Sequence, residues 1–487
     1  MRPTAHLFRP TVIVACVLFA LLGTAASTPA QLMATRVIAG VAPTEEGGGA
    51  MQEDVVDDLP AETRAAIETR LAQSAARLIA RDRLQRATGA PVRFTWPLQA
   101  PDLEGFSYYG ISNYVDHDLR YPGYLLDFQC GSHTYDTSAG YNHSGVDIFL
   151  WPWPWNRMES GAVQVIAAAD GVIVEKDDGN ADHNCALSNK PWNAVYVRHS
   201  DGSTAWYGHL KRGSLTDKAV GDSVVRGDFL GTVGSSGSST GPHLHFEVHD
   251  AAGTLVDPYS GPCNVLSAGS WWQQQPPYVD PAINAVTTGS VAPEIGTCPK
   301  VSKPNQQDYI VRDGKMVFTS YYRDQLLGAQ ALHTVYTPEG IVYASWSHTS
   351  PDSYAASYWY FSGDHFANGA SLGMWRYEIQ FAGQTYTHDF EVVDSPHDIP
   401  TSTRVPTRTP SGVVTHTPTP TAGPCAGDCG ADGHVAVDEL VRAVNIALGA
   451  ASIDSCRAAD SNADGDVSIA EVIAAVANAL NDCAAMR

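Results

Sequence analysis

Short runs in which apolar and polar residues alternate dominate the chain between about residues 95 and 263. Two of these runs, 194–199 and 203–210, flank Asp201-Gly202, a dipeptide typical of a two-residue hairpin turn. Similar runs lie at 163–169, 171–176, 224–234 and 243–248. No apolar pattern of helical length interrupts them, so the pattern predicts an antiparallel β-sheet domain over residues 95–263.

The segment before this domain divides into two parts. Residues 31–57 are small, acidic and glycine-containing without periodicity, which indicates a flexible stretch. Residues 61–88 are rich in Ala, Glu, Arg and Leu, with apolar residues near helical spacing up to Gly89, and predict a helix. Residues 31–94 as a whole are interpreted either as a pro-segment that covers a functional site or as a structural arm packed on the next domain.

Three further segments follow the first β domain. Residues 264–305 are rich in Pro, Ser and Gln and are interpreted as a connector. Residues 306–394 carry a second series of short alternating strands, typical of an immunoglobulin-like β-sandwich. Residues 395–424 are dominated by Pro and Thr and predict an extended linker. The predicted fold class is therefore mainly β.

The N-terminus and the charge balance indicate an exported protein. Arg2 and Arg9 precede the apolar run 11–22, so residues 1–30 are interpreted as a signal peptide, too short to insert stably in a membrane. The 30 basic against 52 acidic residues exclude nucleic acid as a partner, because binding it requires a basic surface.

Cysteine usage supports the same location. Eight cysteines follow Cys16, an even number that suits an oxidising compartment. Their pairing stays open, and a bridge between Cys130 and Cys185 is one option. The protein is expected to be secreted, extracellular or periplasmic, and could be associated with the cell envelope.

The candidate chemistry begins with His243 and His245. Residues two apart on a strand share a face, so these imidazoles project side by side and can share a metal ion. Upstream, His143 and Asp147 would lie about 13 Å apart on a straight strand, too far to bind one ion. The segment between them is therefore expected to curl, with Gly145 as the residue that permits it.

Three motifs in this order resemble a known family. Residues 121–260 are similar to the LytM/lysostaphin-type zinc metallopeptidases, β-sheet endopeptidases that act mainly on bacterial cell-wall peptides. The motifs that carry the resemblance are His143-Ser-Gly-Val-Asp147, Tyr207-Gly-His209-Leu210 and Gly241-Pro-His-Leu-His245, with support from 165–174, 220–222 and 227–234. HExxH does not occur, so a glutamate base on a helix is excluded.

The resemblance implies a role for each of five residues. His143, Asp147 and His245 are the expected zinc ligands, and His209 and His243 are the expected catalytic residues. Zinc lowers the pKa of bound water to about 7, so that a neutral imidazole can take its proton. A protonated histidine can then stabilise the oxyanion or protonate the leaving amine.

Several alternatives accompany this interpretation. The domain could be a catalytically silent cell-wall binding or regulatory module, or a secreted protease that acts on Gly-rich proteins. The insertion Trp151-Pro-Trp-Pro-Trp155 could stack on sugars or form a Pro-stiffened packed rim. Glu247 and His249 are interpreted as ordinary strand positions.

The C-terminal residues 425–487 repeat at a period of 32 and predict a small α-helical calcium module. The second loop fits the EF-hand pattern well, and the first loop fits it weakly. The candidate calcium ligands are Asp460, Asn462, Asp464, Asp466, Ser468 and Glu471 in the strong loop, and Asp428, Asp432 and Glu439 in the weak loop. The pair resembles a dockerin module, which implies a cohesin-like partner. A calcium-stiffened end domain without a partner is the alternative.

Overall fold

The computed structural model of the protein describes most of the chain beyond residue 41. The described residues are 42–50, 56–85, 87, 89, 91–103, 105–312, 314–363, 371–395, 426–430, 434–448, 451–460, 467–468, 471–472, 475–476 and 478–479. The predicted signal peptide and almost all of the predicted linker lie outside them. The chain divides into two compact units, Met1–Thr401 and Ser402–Arg487.

The first β domain is built on an antiparallel sheet, and the antiparallel prediction is confirmed. Its strands follow the order β3-β4-β11-β8-β7-β6-β9, with β12 paired to β11, and a small second sheet has the order β10-β5-β2. A short helix, α2, follows β4. The elements are β2 (Leu98–Gln99), β3 (Tyr109–Asn113), β4 (Val146–Leu150), α2 (Pro154–Ser160), β5 (Gln164–Ile166), β6 (Gly171–Asp177), β7 (Ala194–Arg198), β8 (Thr204–Gly208), β9 (Ser223–Val224), β10 (Phe229–Thr232), β11 (His243–His249) and β12 (Leu255–Val256).

The second β domain is a two-layer sandwich. One sheet has the order β1-β18-β15-β13, where β1 is Thr44–Ala50, and the other has the order β14-β20-β19-β16-β17. Aromatic residues of both sheets form one core. The strands are β13 (Ala282–Gly289), β14 (Tyr309–Val311), β15 (Met316–Gln325), β16 (Gln330–Tyr336), β17 (Val342–Thr349), β18 (Tyr354–Gly363), β19 (Gly373–Phe381) and β20 (Gln384–Val393). Strand β13 lies inside the predicted connector 264–305, so the sandwich begins earlier than residue 306.

The tryptophan insertion joins the two β domains. Trp151 is fully buried, packs edge-on against Tyr321 of the sandwich and donates its indole N–H to the carbonyl of Tyr322 at 2.9 Å. Trp153 packs edge-on against the same tyrosine ring. The packing interpretation of this insertion is therefore the one that the structure supports, because Trp151 has no accessible face for a sugar.

Two disulfides hold the loops of the first unit. Cys130 pairs with Cys263, and Cys185 pairs with Cys298. The option of a Cys130–Cys185 bridge is thus wrong. The first disulfide joins the segment between β3 and β4 to the end of the first β domain, and the second joins a loop of that domain to the segment between β13 and β14 of the sandwich.

The N-terminal arm, residues 42–85, contacts both β domains. Its strand β1 (Thr44–Ala50) pairs antiparallel with β18 at the edge of the sandwich, so part of the stretch predicted to be flexible is ordered. Its helix α1 (Ala61–Ala80) is shorter than predicted and buries Ile67, Leu71 and Leu78 against the sheet of the first β domain. Among the described residues, no helix combines the length and the apolar character needed to cross a membrane.

Within the described residues of the C-terminal unit, helix α3 (Val437–Ala447) is followed by two short 3-10 turns (Ile453–Ser455 and Arg457–Ala459). The disulfide Cys429–Cys456 links the loop before α3 to the turns after it. The region of the second calcium loop is described only in part.

Candidate active site

Three neighbouring strands position the candidate site at one end of the main sheet. Strand β11 lies between β4 and β8, and the antiparallel register places His245 directly opposite both Asp147 and Gly208. Side chains of directly opposed residues on one face meet at short range. Nδ1 of His245 accordingly lies 3.0 Å from Oδ1 of Asp147.

His143 reaches the same point from the loop before β4. Its Nε2 lies 3.1 Å from Oδ2 of Asp147, so the predicted curl between the two residues is present. Gly145 has a different role from the one predicted, because its φ is not in the left-handed region. A Cβ at this position would lie 2.6 Å from the ring of His245, so glycine is required there for space.

His209 and His243 complete the cluster from the second and third motifs. His209 directly follows β8 and has a left-handed backbone with φ 60°, a conformation that costs energy for a non-glycine residue and often marks a functional site. The two imidazole rings lie 4.4 Å apart between centroids, and both residues are buried. All five residues predicted from the motifs therefore lie in one buried cluster.

Three of the four imidazoles are oriented by backbone carbonyls. The Nδ1–H of His143 donates to Tyr114 at 2.7 Å, that of His209 to Ser236 at 2.6 Å, and that of His243 to Gly241 at 2.8 Å. Each bond fixes the ring so that Nε2 faces the centre of the cluster. These three nitrogens are thereby available as electron-pair donors.

His245 has the opposite orientation. Its Nδ1 faces the cluster, and its Nε2–H donates to Glu247 at 3.0 Å. Glu247 is fully buried and also accepts from His249 at 2.5 Å and from the guanidinium of Arg64 in α1. The interpretation of Glu247 and His249 as ordinary strand positions is therefore wrong, since Glu247 orients a residue of the site.

A sixth residue, Asp57, enters the cluster from the N-terminal arm. Its carboxylate lies 2.8 Å from Nε2 of His209 and 2.7 Å from Nδ1 of His245. The hydroxyl groups of Tyr135 and Tyr141 donate to it. Only 1% of Asp57 is exposed, so the arm fills the space between the two histidine pairs.

The carboxylates and imidazoles of the cluster shift one another's pKa values. Burial by itself would raise the pKa of Asp57, but His245, His209 and His243 hold the pKa well below its usual value. Burial would likewise raise the pKa of Asp147, and His143 beside it lowers the pKa instead. Burial and the neighbouring His243 lower the pKa of His209, so His209 is neutral near pH 7.

The donor set fits a divalent metal ion. Ligand atoms of Asp57, His143, Asp147 and His245 all lie within 4.8 Å of one another, and the same holds for Asp57, His209 and His243. Within the described part of the chain, the buried Nε2 atoms of His143 and His243 form no aligned hydrogen bond. A buried imidazole nitrogen without a hydrogen bond is costly unless another electron acceptor, such as a metal ion, satisfies it.

Asp57 and Glu247 could not be assigned from the motifs. Asp57 lies 86 positions before His143 in a stretch without periodicity, so only the folded chain brings it to the site. Glu247 was open to detection, because it shares a strand face with His245 and His249, and a carboxylate between two histidines is a frequent way to orient a metal ligand.

The candidate calcium residues are only partly described. In the weak loop, Asp428 and Glu439 are buried, and Glu439 accepts from the backbone N–H groups of Gly430 at 2.6 Å and Ala436 at 2.9 Å. In the strong loop, Ser468 donates to Glu471 from its backbone N–H at 2.9 Å. Asp460 is also described, whereas the residues outside the described part are Asp432, Asn462, Asp464 and Asp466.

The antiparallel sheet carries a buried cluster of imidazoles and carboxylates with the donor atoms of a metal site. Residues 141–258 match the model of Peptidase family M23. This match covers all five residues of the three motifs and excludes Asp57.

Curated relatives match a part of the chain. The DD-carboxypeptidase/endopeptidase Mpg of Neisseria meningitidis serogroup B is 41% identical over 96 residues, which are 20% of this chain and 19% of Mpg. The glycyl-glycine endopeptidase ALE-1 of Staphylococcus capitis is 35% identical over 109 residues, 22% of this chain and 25% of ALE-1. The chain thus spans a fifth to a quarter of the length of these relatives.

Among solved structures, the catalytic domain of the antimicrobial peptidase lysostaphin from Staphylococcus simulans is 26% identical, with a TM-score of 0.21. The match covers 31% of this chain and 89% of the lysostaphin domain.

Proposed function

We propose that this protein is an exported zinc endopeptidase that hydrolyses peptide bonds of peptidoglycan stem peptides or cross-bridges. The observation that carries the proposal is the convergence of His143, Asp147 and His245 on one buried point, with His209 and His243 beside them. Two imidazoles and one carboxylate leave a position for a further ligand, as in catalytic zinc sites. All five positions carry functional side chains, which disfavours a silent binding module.

The residues divide into two groups by their orientation. His143, Asp147 and His245 would hold zinc, which supplies Lewis-acid polarisation of the scissile carbonyl and lowers the pKa of a water molecule. Nε2 of His209 is neutral near pH 7 and can accept a proton from the attacking water. His243 presents Nε2 from the same side, and after protonation it can donate to the oxyanion or the leaving amine.

The substrate class is supported by the relatives. Mpg is named as a DD-carboxypeptidase/endopeptidase and ALE-1 as a glycyl-glycine endopeptidase. A secreted protease that acts on Gly-rich proteins is the second candidate, because the ALE-1 name specifies the glycyl-glycine bond and not the polymer that contains it.

The N-terminal arm would keep this enzyme latent. Asp57 occupies the buried space between the proposed ligands and the proposed catalytic histidines, where a substrate carbonyl has to enter. The pro-segment interpretation of residues 31–94 is therefore proposed for the part that contains Asp57. Export agrees with the disulfides Cys130–Cys263 and Cys185–Cys298, which suit an oxidising compartment.

The test uses purified full-length protein and its Asp57→Ala variant. Each is incubated with peptidoglycan and with a Gly-rich protein, with and without a chelator, and new amino termini are quantified. Chelator-sensitive cleavage of peptidoglycan that zinc restores is the expected result. Cleavage of the Gly-rich protein alone would support the second candidate, and no chelator-sensitive cleavage of either would contradict the enzyme assignment.

For the C-terminal unit we propose calcium binding by the second loop, with Asp460 and Glu471 among its ligands. The resemblance to dockerin modules extends this proposal to docking on a cohesin-like partner. Calorimetric titration with Ca²⁺ should show binding that Asp460→Ala weakens more than Asp428→Ala does. Equal loss in the two variants would contradict the assignment of the stronger site.

A further inference from the structure

The N-terminal arm contacts the site at two places with different consequences. Asp57 lies among the imidazoles, whereas Arg64, seven positions later, lies behind them on Glu247. The first contact fills the place of a substrate. The second supports the carboxylate that orients His245.

The orientation of the His245 ring depends on the side chain of Glu247, whereas the other three rings are oriented by the backbone. His143, His209 and His243 are oriented by backbone carbonyls, which the sheet and its loops fix. His245 is oriented through its Nε2–H by the carboxylate of Glu247. If that carboxylate turned away, the ring of His245 could present the wrong nitrogen to a metal ion.

The position of the Glu247 carboxylate in turn depends on Arg64. The carboxylate is fully buried and accepts hydrogen bonds from Arg64 as well as from His245 and His249. The two terminal nitrogens of the guanidinium, Nη1 and Nη2, donate to the two carboxylate oxygens of Glu247. The guanidinium carbon lies 5.5 Å from the ring centre of Trp206. Arginine is always charged, whereas the two imidazoles are cations only when protonated.

Helix α1 is anchored independently of Asp57. Ile67, Leu71 and Leu78 are buried on the sheet, and Arg70 forms two 2.7 Å hydrogen bonds with Asp177. These contacts therefore hold the helix in place when the preceding residues move.

From these contacts we infer that α1 is a permanent part of the metal centre, and that Arg64 is a positioning residue acting through Glu247 on His245. Activation accordingly displaces Asp57 and retains α1, so a processed form keeps Arg64. The two interpretations of residues 31–94 then apply to different parts, the pro-segment to Asp57 and the structural arm to α1. This inference rests on the proposed zinc site.

The experiment measures zinc affinity in full-length protein that carries Asp57→Ala, by competition with a chromophoric chelator. Adding Arg64→Gln is expected to weaken zinc binding about 10- to 100-fold, the range for residues that orient a metal ligand. Arg64→Lys keeps the charge and should restore most of the affinity. Arg70→Gln is the matched control, since it removes an ion pair of the same helix away from the site, and zinc affinity should change less than twofold.

The outcomes separate the two proposals. If the Asp57→Ala parent binds zinc and Arg64→Gln leaves its affinity unchanged, the role of Arg64 is refuted and the enzyme proposal stands. If Arg64→Gln and Arg70→Gln weaken zinc binding equally, the effect is one of helix stability, and the positioning role is refuted as well. A parent that binds no zinc overturns both proposals.

Discussion

Replacing Asp57 with alanine should activate the enzyme. The carboxylate accepts from two tyrosine hydroxyls and lies 2.8 Å from Nε2 of His209 and 2.7 Å from Nδ1 of His245. Each hydrogen bond to a charged group contributes about 1.5–3 kcal/mol, and the desolvation of a buried carboxylate offsets several kcal/mol of the sum. If the contacts of Asp57 stabilise the blocked site by a net of about 2–3 kcal/mol, as is typical of this many hydrogen bonds after desolvation, their removal raises kcat/KM about 30- to 150-fold, because 1.4 kcal/mol is a factor of ten.

The assay follows the release of soluble fragments from labelled peptidoglycan by zinc-loaded protein. Asp58→Ala is the matched control, since it removes the neighbouring carboxylate, whose Oδ1 forms no hydrogen bond within the described residues. This control should stay within about twofold of the unmodified protein because, among the described residues, no hydrogen bond joins the half-buried side chain of Asp58 to the cluster. If Asp57→Ala bound zinc normally and were no more active than the unmodified protein, the latency argument would be refuted. If it lost activity, Asp57 would belong to the catalytic machinery.

Three further predictions concern space, packing and cross-linking. Gly145→Ala should abolish high-affinity zinc binding in a chelator competition, because the added Cβ would lie 2.6 Å from a ligand ring; Gly269→Ala, with no atom nearby, should not. Trp151→Ala should lower the free energy of unfolding by about 3–5 kcal/mol in urea, since it empties the buried junction of the two β domains. Replacing Cys130 and Cys263 with serine should cost about 4–5 kcal/mol in the same assay, given their separation of 133 residues.

The sheet and the five motif residues could be predicted because their signals are local. The His243 and His245 pair shares one strand face by periodicity alone, and the Asp201-Gly202 turn fixes the hairpin that presents His209. The roles of these residues were implied by the resemblance that the three motifs carry together. The structure adds the register, which places Asp147 directly opposite His245.

The features that the sequence could not reveal depend on long-range contacts. Strand β13 lies in a stretch rich in Pro, Ser and Gln, and its place in the sandwich follows from pairing with β15. The disulfide partners are likewise far apart, at 133 and 113 positions. Trp151 is hydrophobic in either interpretation of its insertion, and only the presence of Tyr321 opposite it distinguishes packing from ligand binding.

The arrangement around His245 explains why inhibition and support could come from one segment. A carboxylate on each side of the ring, Asp57 at Nδ1 and Glu247 at Nε2, makes the doubly protonated imidazolium stable, and the pKa of His245 is raised well above its usual value despite burial. A metal ion requires the neutral ring, with Nδ1 free. Displacing Asp57 removes one of three carboxylates that favour the imidazolium, the others being Asp147 and Glu247, while Arg64 keeps Glu247 in position. The same movement that opens the space for substrate therefore also favours the ring form that binds metal.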